Sequence, residues 1–200
     1  MVATTPLDAH AQKHSVGASL PGLPPQPILQ TDDLAIGYGG RAPQIVAEGL
    51  DLTLRPGELV CLIGANGAGK STLIRTLAGM QAPLSGGVRL MGNDVHKLPA
   101  NQLAQRLSVV LTERINPGLL TARTLVALGR HPYTDWAGRL TARDEAIVRE
   151  AIAAVGATAL AERQIGELSD GERQKIMIAR ALAQQPALMI LDEPTAFLDL

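Results

Sequence analysis

The sequence predicts an α/β fold: a mostly parallel sheet between helices, an antiparallel β layer towards the N-terminus and a helical subdomain set into the chain. Three observations predict it. An apolar run at 59–63 leads into Gly64-Ala65-Asn66-Gly67-Ala68-Gly69-Lys70-Ser71-Thr72 and then a helical stretch at 71–78. A second apolar run, 187–191, ends in Asp192-Glu193-Pro194. Strand-like segments dominate before the glycine-rich stretch, whereas 115–167 is patterned as helix.

The N-terminal 27 residues are polar and end in Pro21-Gly22-Leu23-Pro24-Pro25-Gln26-Pro27, so 1–27 is expected to be a disordered tail without a fold of its own. Strand-like patterns follow at 28–38, 50–54 and 58–63, with Arg55-Pro56-Gly57 as the turn between the last two. These segments form the expected antiparallel layer. A short strand is expected at 87–91, a short helix from Pro99 to Arg106 and an apolar strand at 107–112. Thr121 precedes a helix at 122–129 that is expected to stop before His131-Pro132. Thr141-Ala142-Arg143-Asp144 has the form of a capping box with Asp in the third place, opening a helix that ends near Gly156. Residues 171–184 are helical and apolar on much of their circumference, and Pro186 ends them.

Composition narrows the function classes. Eighteen basic against nineteen acidic residues give a net charge of −1, which offers no basic surface for nucleic acid. Hydrophobic residues make up 46% but aromatics only 2%, so the core is aliphatic. No apolar run is long enough to span a bilayer, so membrane work requires a membrane-spanning partner. The single cysteine, Cys61, lies in the first apolar run and is expected to be a small core residue.

The glycine-rich stretch has the G-x-x-x-x-G-K-S spacing of a phosphate-binding loop. Its glycines let successive N–H groups converge, and the helix start behind them carries unpaired donors and a partial positive charge. Lys70 adds a full charge for β- and γ-phosphates, and the Ser71 hydroxyl suits Mg²⁺. An apolar strand ending in Asp192 presents a carboxylate for the same ion. Glu193, on the other side of the strand end, can orient a water or take its proton. Leu168-Ser169-Asp170-Gly171-Glu172-Arg173-Gln174 is a second loop entering a helix, with a hydroxyl and free amides suited to an anion.

With the three motifs in this order, the sequence resembles the ATP-binding subunit of an ABC transporter from residue 28 to residue 200, a P-loop NTPase core. The resemblance implies ATP and Mg²⁺ as cofactors. It assigns Tyr38 to adenine stacking, Gly64 to Thr72 to the phosphates, and Lys70 and Glu193 to catalysis. It assigns Ser71, Asp192 and Glu113 to the metal, Ser169 and Gly171 to the γ-phosphate held by a second subunit, and Asp199 to the dimer interface. Where the family has Gly-Gly and Gln, this chain has Asp170-Gly171 and Glu172; where the family has a Gln linked to Mg²⁺, it has Glu113. Asp170 is expected to cap the following helix. Gly129-Arg130-His131-Pro132-Tyr133 resembles the import ATPases for iron-siderophore, haem and vitamin B12.

The implied partners are transmembrane permease subunits, a second copy arranged head to tail, and a substrate-binding protein indirectly, with no nucleic acid. The implied location is the cytoplasmic face of the membrane. Family members continue past the position of Leu200 into another strand and a His, so the chain is expected to be C-terminally truncated. Two alternatives stand beside an active importer ATPase: a nucleotide-binding module without turnover, and a soluble ABC protein with no membrane partner.

Overall fold

The computed structural model describes residues 12–15, 26–111 and 119–192. They belong to two compact units, Met1–Leu98 and Pro99–Leu200.

In the first unit, β1 (Gln12–Ser15) pairs antiparallel with β5, and β2 (Leu29–Tyr38) is the organising strand. β3 (Gln44–Leu50), β4 (Thr53–Leu54), β5 (Glu58–Cys61), α1 (Lys70–Leu77), β6 (Ser85–Leu90) and β7 (Asn93–Asp94) follow. β2 pairs antiparallel with β3, β4 and β6, and β6 with β7, so the expected antiparallel layer is present. Leu29, Leu34, Ile36, Val88 and Leu90 are fully buried between these strands. Burying an aliphatic side chain of that size stabilises by about 1.5–3 kcal/mol.

Two features differ from the sequence reading here. The strand Gln44–Leu50 carries no alternation, because most of its side chains are exposed and its register with β2 shifts twice. Within the tail expected to lack a fold, Gln12–Ser15 takes up the backbone donors and acceptors along β5; the rest of 1–25 lies outside the described residues.

In the second unit, α2 (Ala100–Ala104) leads into β8 (Leu107–Val110), then α3 (Ala122–Ala127), α4 (Ala142–Ala154), α5 (Asp170–Ala183) and β9 (Leu188–Leu191). β8 and β9 pair in parallel, from Leu107 beside Leu188 to Val110 beside Leu191. This is the parallel pairing the α/β prediction requires. The helices share one aliphatic cluster that includes Leu125, Val126, Val148, Ile152, Ile165 and Ile176. The helix expected at 122–129 gives way after Ala127 to a 3-10 turn, Leu128–Tyr133, which contains Pro132. A 3-10 turn accommodates the proline where a continuing α-helix would lose a hydrogen bond. Among the described residues no helix is long and apolar enough to cross a membrane.

Candidate functional site

The phosphate loop is built between β5 and α1. Gly69 sits immediately before the helix at φ 92°, a conformation open to glycine. A Cβ on it would lie 2.3 Å from Val46 Cγ1. The N–H of Ala68 donates to the carbonyl of Ala65 at 3.1 Å, closing the turn, and Leu73 N donates to Gly69 O at 2.9 Å, starting the helix. No side chain caps α1, and no acidic residue stands in its first turn. Its leading amides and the positive end of its dipole are therefore left for an anion.

Lys70 lies across the loop. Its ammonium donates to the carbonyls of Gly64 at 2.8 Å and Ala65 at 2.9 Å. A cation is thus already held over the curled backbone, on carbonyls that a triphosphate oxygen can replace as partner. Ser71 is exposed and Thr72 buried. Asn66 and Gly67 are exposed at the loop tip.

Tyr38 ends β2 next to this loop. The residue is 52% exposed, and its hydroxyl lies 3.4 Å from Thr72 Oγ1. The backbone that carries it is pinned from α1's far end, where Gln81 Nε2 donates to Gly37 O at 2.5 Å. An exposed aromatic face at the edge of the loop is what base stacking needs. Gln81 and Val46 escaped the sequence reading, since a lone Gln and a Val in an unrecognised strand carry no motif.

In the second unit, Asp192 follows β9. Its N–H donates to Val110 O at 2.8 Å, continuing the parallel ladder and fixing the backbone at the strand's end. Ser169 is the N-cap of α5: its Oγ accepts from Glu172 N at 3.3 Å, while Glu172 Oε2 accepts from Ser169 N and Ser169 Oγ, both at 2.9 Å. Those bonds hold the Glu172 carboxyl below its ordinary range. Asp170, expected to be the cap, instead meets Arg173 Nη1 at 2.9 Å, because Ser169 already occupies the capping position. Gly171 lies in the first turn, partly buried. The departure at Glu172 has a structural account: Glu closes a capping box. Glu113, Glu193 and Asp199 lie outside the described residues.

Cys61 is exposed, not buried as expected. Leu59, Cys61 and Ile63 alternate along one face, and Leu59 and Ile63 are 65% and 63% exposed. A run apolar on both faces suits a strand covered on both sides; among the described residues only one side is covered. Trp136, in the helical part of the second unit, is 97% exposed.

The donor types suit Mg²⁺. Ser71 offers a hydroxyl at the start of α1 and Asp192 a carboxylate after β9, each an oxygen donor of the kind a small hard cation prefers. Among the described residues no group of three or more His, Cys, Asp or Glu is gathered as a metal cage.

Comparison with known proteins agrees with this geometry. Residues 47–196 match the ABC transporter family. An uncharacterized ABC transporter ATP-binding protein of Methanocaldococcus jannaschii is 54% identical over 86% of this chain and 58% of its own length. The ferric enterobactin transport ATP-binding protein of Escherichia coli is 39% identical over 86% of this chain and 62% of its own. A cobalamin import ATP-binding protein of Halobacterium salinarum is 41% identical over 77% of this chain and 38% of its own. The chain thus spans about three fifths of the length of the first two relatives. Among solved structures, a dimeric ATP-binding cassette in a post-hydrolysis state with ADP and Pi superposes with a TM-score of 0.72 at 25% identity, covering 86% of this chain and 76% of the other. The phosphate loop, the acid-ended parallel strand and the capped helix occur in one chain that matches this family over most of its length. The chain belongs to the ABC transporter family of ATP-binding proteins.

Proposed function

We propose that this chain is the ATP-binding and ATP-hydrolysing subunit that energises an ABC importer, and that the cargo is an iron-siderophore, haem or cobalamin. The observation that carries the reading is the loop from Gly64 to Gly69, folded around the Lys70 ammonium in front of an uncapped helix start. The relatives named for enterobactin and cobalamin transport support the cargo class.

In this reading the triphosphate enters the loop, and Lys70 exchanges its two carbonyl partners for β- and γ-oxygens. Tyr38 stacks on adenine. Ser71, Asp192 and Glu113 would hold Mg²⁺, which would supply positive charge against that of the triphosphate. Glu193 orients the attacking water and accepts its proton. Two copies pair head to tail, so that Ser169 and Gly171 of one meet the γ-phosphate held by the other, with Asp199 at the contact between them. Closing of that pair drives the permease subunits through the helical subdomain, and the substrate-binding protein acts on the permease. The subunit is peripheral, held at the cytoplasmic face by the permease.

Replacing Lys70 by Ala should lower nucleotide affinity by about 100-fold, the scale of losing a charge-assisted contact to phosphate. Glu193→Gln should keep ATP binding and accumulate a dimer, with hydrolysis lower by about 10²–10⁴-fold. Equilibrium nucleotide binding, phosphate release and sedimentation check both. Parental hydrolysis by Glu193→Gln would remove the base from this scheme.

A further inference from the structure

The helix start at Ser169 carries two acids, Asp170 and Glu172, in its first turn. A loop that approaches a triphosphate is thereby given charge of the wrong sign, since like charges brought together across a contact oppose it. Each acid is answered by an arginine. Glu172 divides its carboxylate: Oε2 accepts from Ser169 N and Ser169 Oγ, and Oε1 lies 3.7 Å from Arg163 Nη1. Asp170 Oδ1 accepts from Arg173 Nη1 at 2.9 Å. Glu172 stays charged at neutral pH, because the Ser169 N–H and hydroxyl that donate to it hold its carboxyl below the ordinary range, with Arg163 and Lys175 adding to the effect. Its charge is therefore balanced by a neighbour and not by a proton.

Each arginine has a second hold, on the backbone just before Ser169. Arg163 Nη2 donates to Glu167 O at 2.9 Å, and Arg173 Nη2 to Leu168 O at 3.1 Å. The consecutive carbonyls that lead into Ser169 are thus taken by the same two side chains that face its two acids. The Arg163 backbone is fixed in turn: its N–H donates to Leu160 O at 3.0 Å, and its carbonyl accepts from Ala122 N at 2.9 Å. Ile165 and Leu168 are buried in the aliphatic cluster and anchor the segment, whereas Glu167 and Ser169 are exposed. The result is a braced loop with an exposed serine, its acids each engaged by a guanidinium.

We infer that Arg163 and Arg173 are positioning residues for the contact between two copies: each engages one acid of the Ser169 loop and one carbonyl before it, so that an acid-bearing loop can approach the γ-phosphate held by the other copy. The inference rests on the proposed ATPase reading and deepens it. Both arginines act through the loop, and neither is assigned a contact with nucleotide. All four charged side chains are partly exposed. Exposed ion pairs add little to the stability of a fold, so folding gives little reason for this pairing, whereas the approach of a triphosphate does. A guanidinium suits the task because its fork serves a carboxylate and a carbonyl at once.

The test separates charge from shape by rescue. With the full chain, ATP-driven pairing is followed by sedimentation in a Glu193→Gln background, and phosphate release at saturating ATP is measured with Glu193 intact. Arg163→Met should weaken pairing by about 10-fold and lower phosphate release by about 10-fold, with the ATP affinity of the unpaired chain within about twofold of the parent. Adding Glu172→Gln removes the charge and keeps an oxygen for the capping box, and should return both readings to within about threefold of the parent. A folded Arg163→Met with parental pairing or parental phosphate release overturns the inference. So does a defect that Glu172→Gln leaves in place, since the arginine would then be a prop for the Glu167 carbonyl and nothing more. Should Arg163→Met fail to fold, Arg173→Met with and without Asp170→Asn decides by the same comparison. A parent that binds ATP but neither pairs nor releases phosphate overturns the ATPase reading and this inference with it; with an active parent, the variants judge the inference alone.

Discussion

Two helix starts invite comparison. α1 opens from Gly69 with no side-chain cap and no acid in its first turn; α5 opens from Ser169 with a complete capping box and both Asp170 and Glu172 close by. Both are loops entering helices, and both are assigned to phosphate in the functional reading. They differ in who satisfies the leading amides. At α1 the protein leaves them free and lays a lysine across the loop. At α5 the protein satisfies them itself, through Glu172 N to Ser169 Oγ. The first is a receptor ready for its anion. The second must give up or share a hydroxyl that already has a partner, which suits the proposed contact between two copies.

The comparison can be broken most forcefully at Gly69. Gly69→Ala places a side chain in a left-handed conformation and against Val46, and should cost about 3 kcal/mol of stability together with most nucleotide affinity. Denaturant melts and ATP titration check it. A variant with parental affinity would mean that the loop's shape does not depend on that residue.

α4 supplies a third kind of helix start, where the cap is also half of a buried ion pair. Asp144 titrates at about 2, down from 3.8, chiefly because Thr141 donates to it through its hydroxyl and N–H, with Arg130 adding to the effect. A carboxyl whose folded pKa is depressed stabilises above its unfolded value and loses that contribution as pH falls through the folded one. About 2 kcal/mol should therefore be present above pH ~4 and disappear as the pH falls to ~2. Urea midpoints across that range, compared with Asp144→Asn, check the window; equal acid sensitivity in the two proteins would exclude Asp144 as its source.

The smallest effect is expected at α5. Ser169→Ala removes the cap and should lower stability by about 1 kcal/mol. ATP affinity at the phosphate loop should stay within about twofold, while hydrolysis falls. If ATP affinity falls as steeply as in Gly69→Ala, the distinction between the two helix starts is lost.

What could be read in the sequence follows from locality. The phosphate loop, the Thr141–Asp144 capping box and the parallel apolar strands each announce themselves within a few residues. β3 did not, because Arg41-Ala42-Pro43 stands directly before it, Glu48-Gly49 interrupts it and its exposed faces leave no period. Asp170 was misassigned as a cap because Ser and Asp are both strong capping residues and stand side by side. Arg130 was invisible as a buried residue: arginine is ordinarily a surface residue, and its partners are 14 and 53 positions away. Glu113 and Asp199 rest on the family pattern, and Glu193 on that pattern and its place at the end of an apolar run; all three lie outside the described residues.

The exposed thiol at Cys61 has a practical use. It is the chain's one cysteine, and it sits on the strand that runs directly into the phosphate loop. A maleimide dye would attach at a single known address beside the nucleotide cradle. The native sequence thus supplies its own optical reporter, with no engineered handle required.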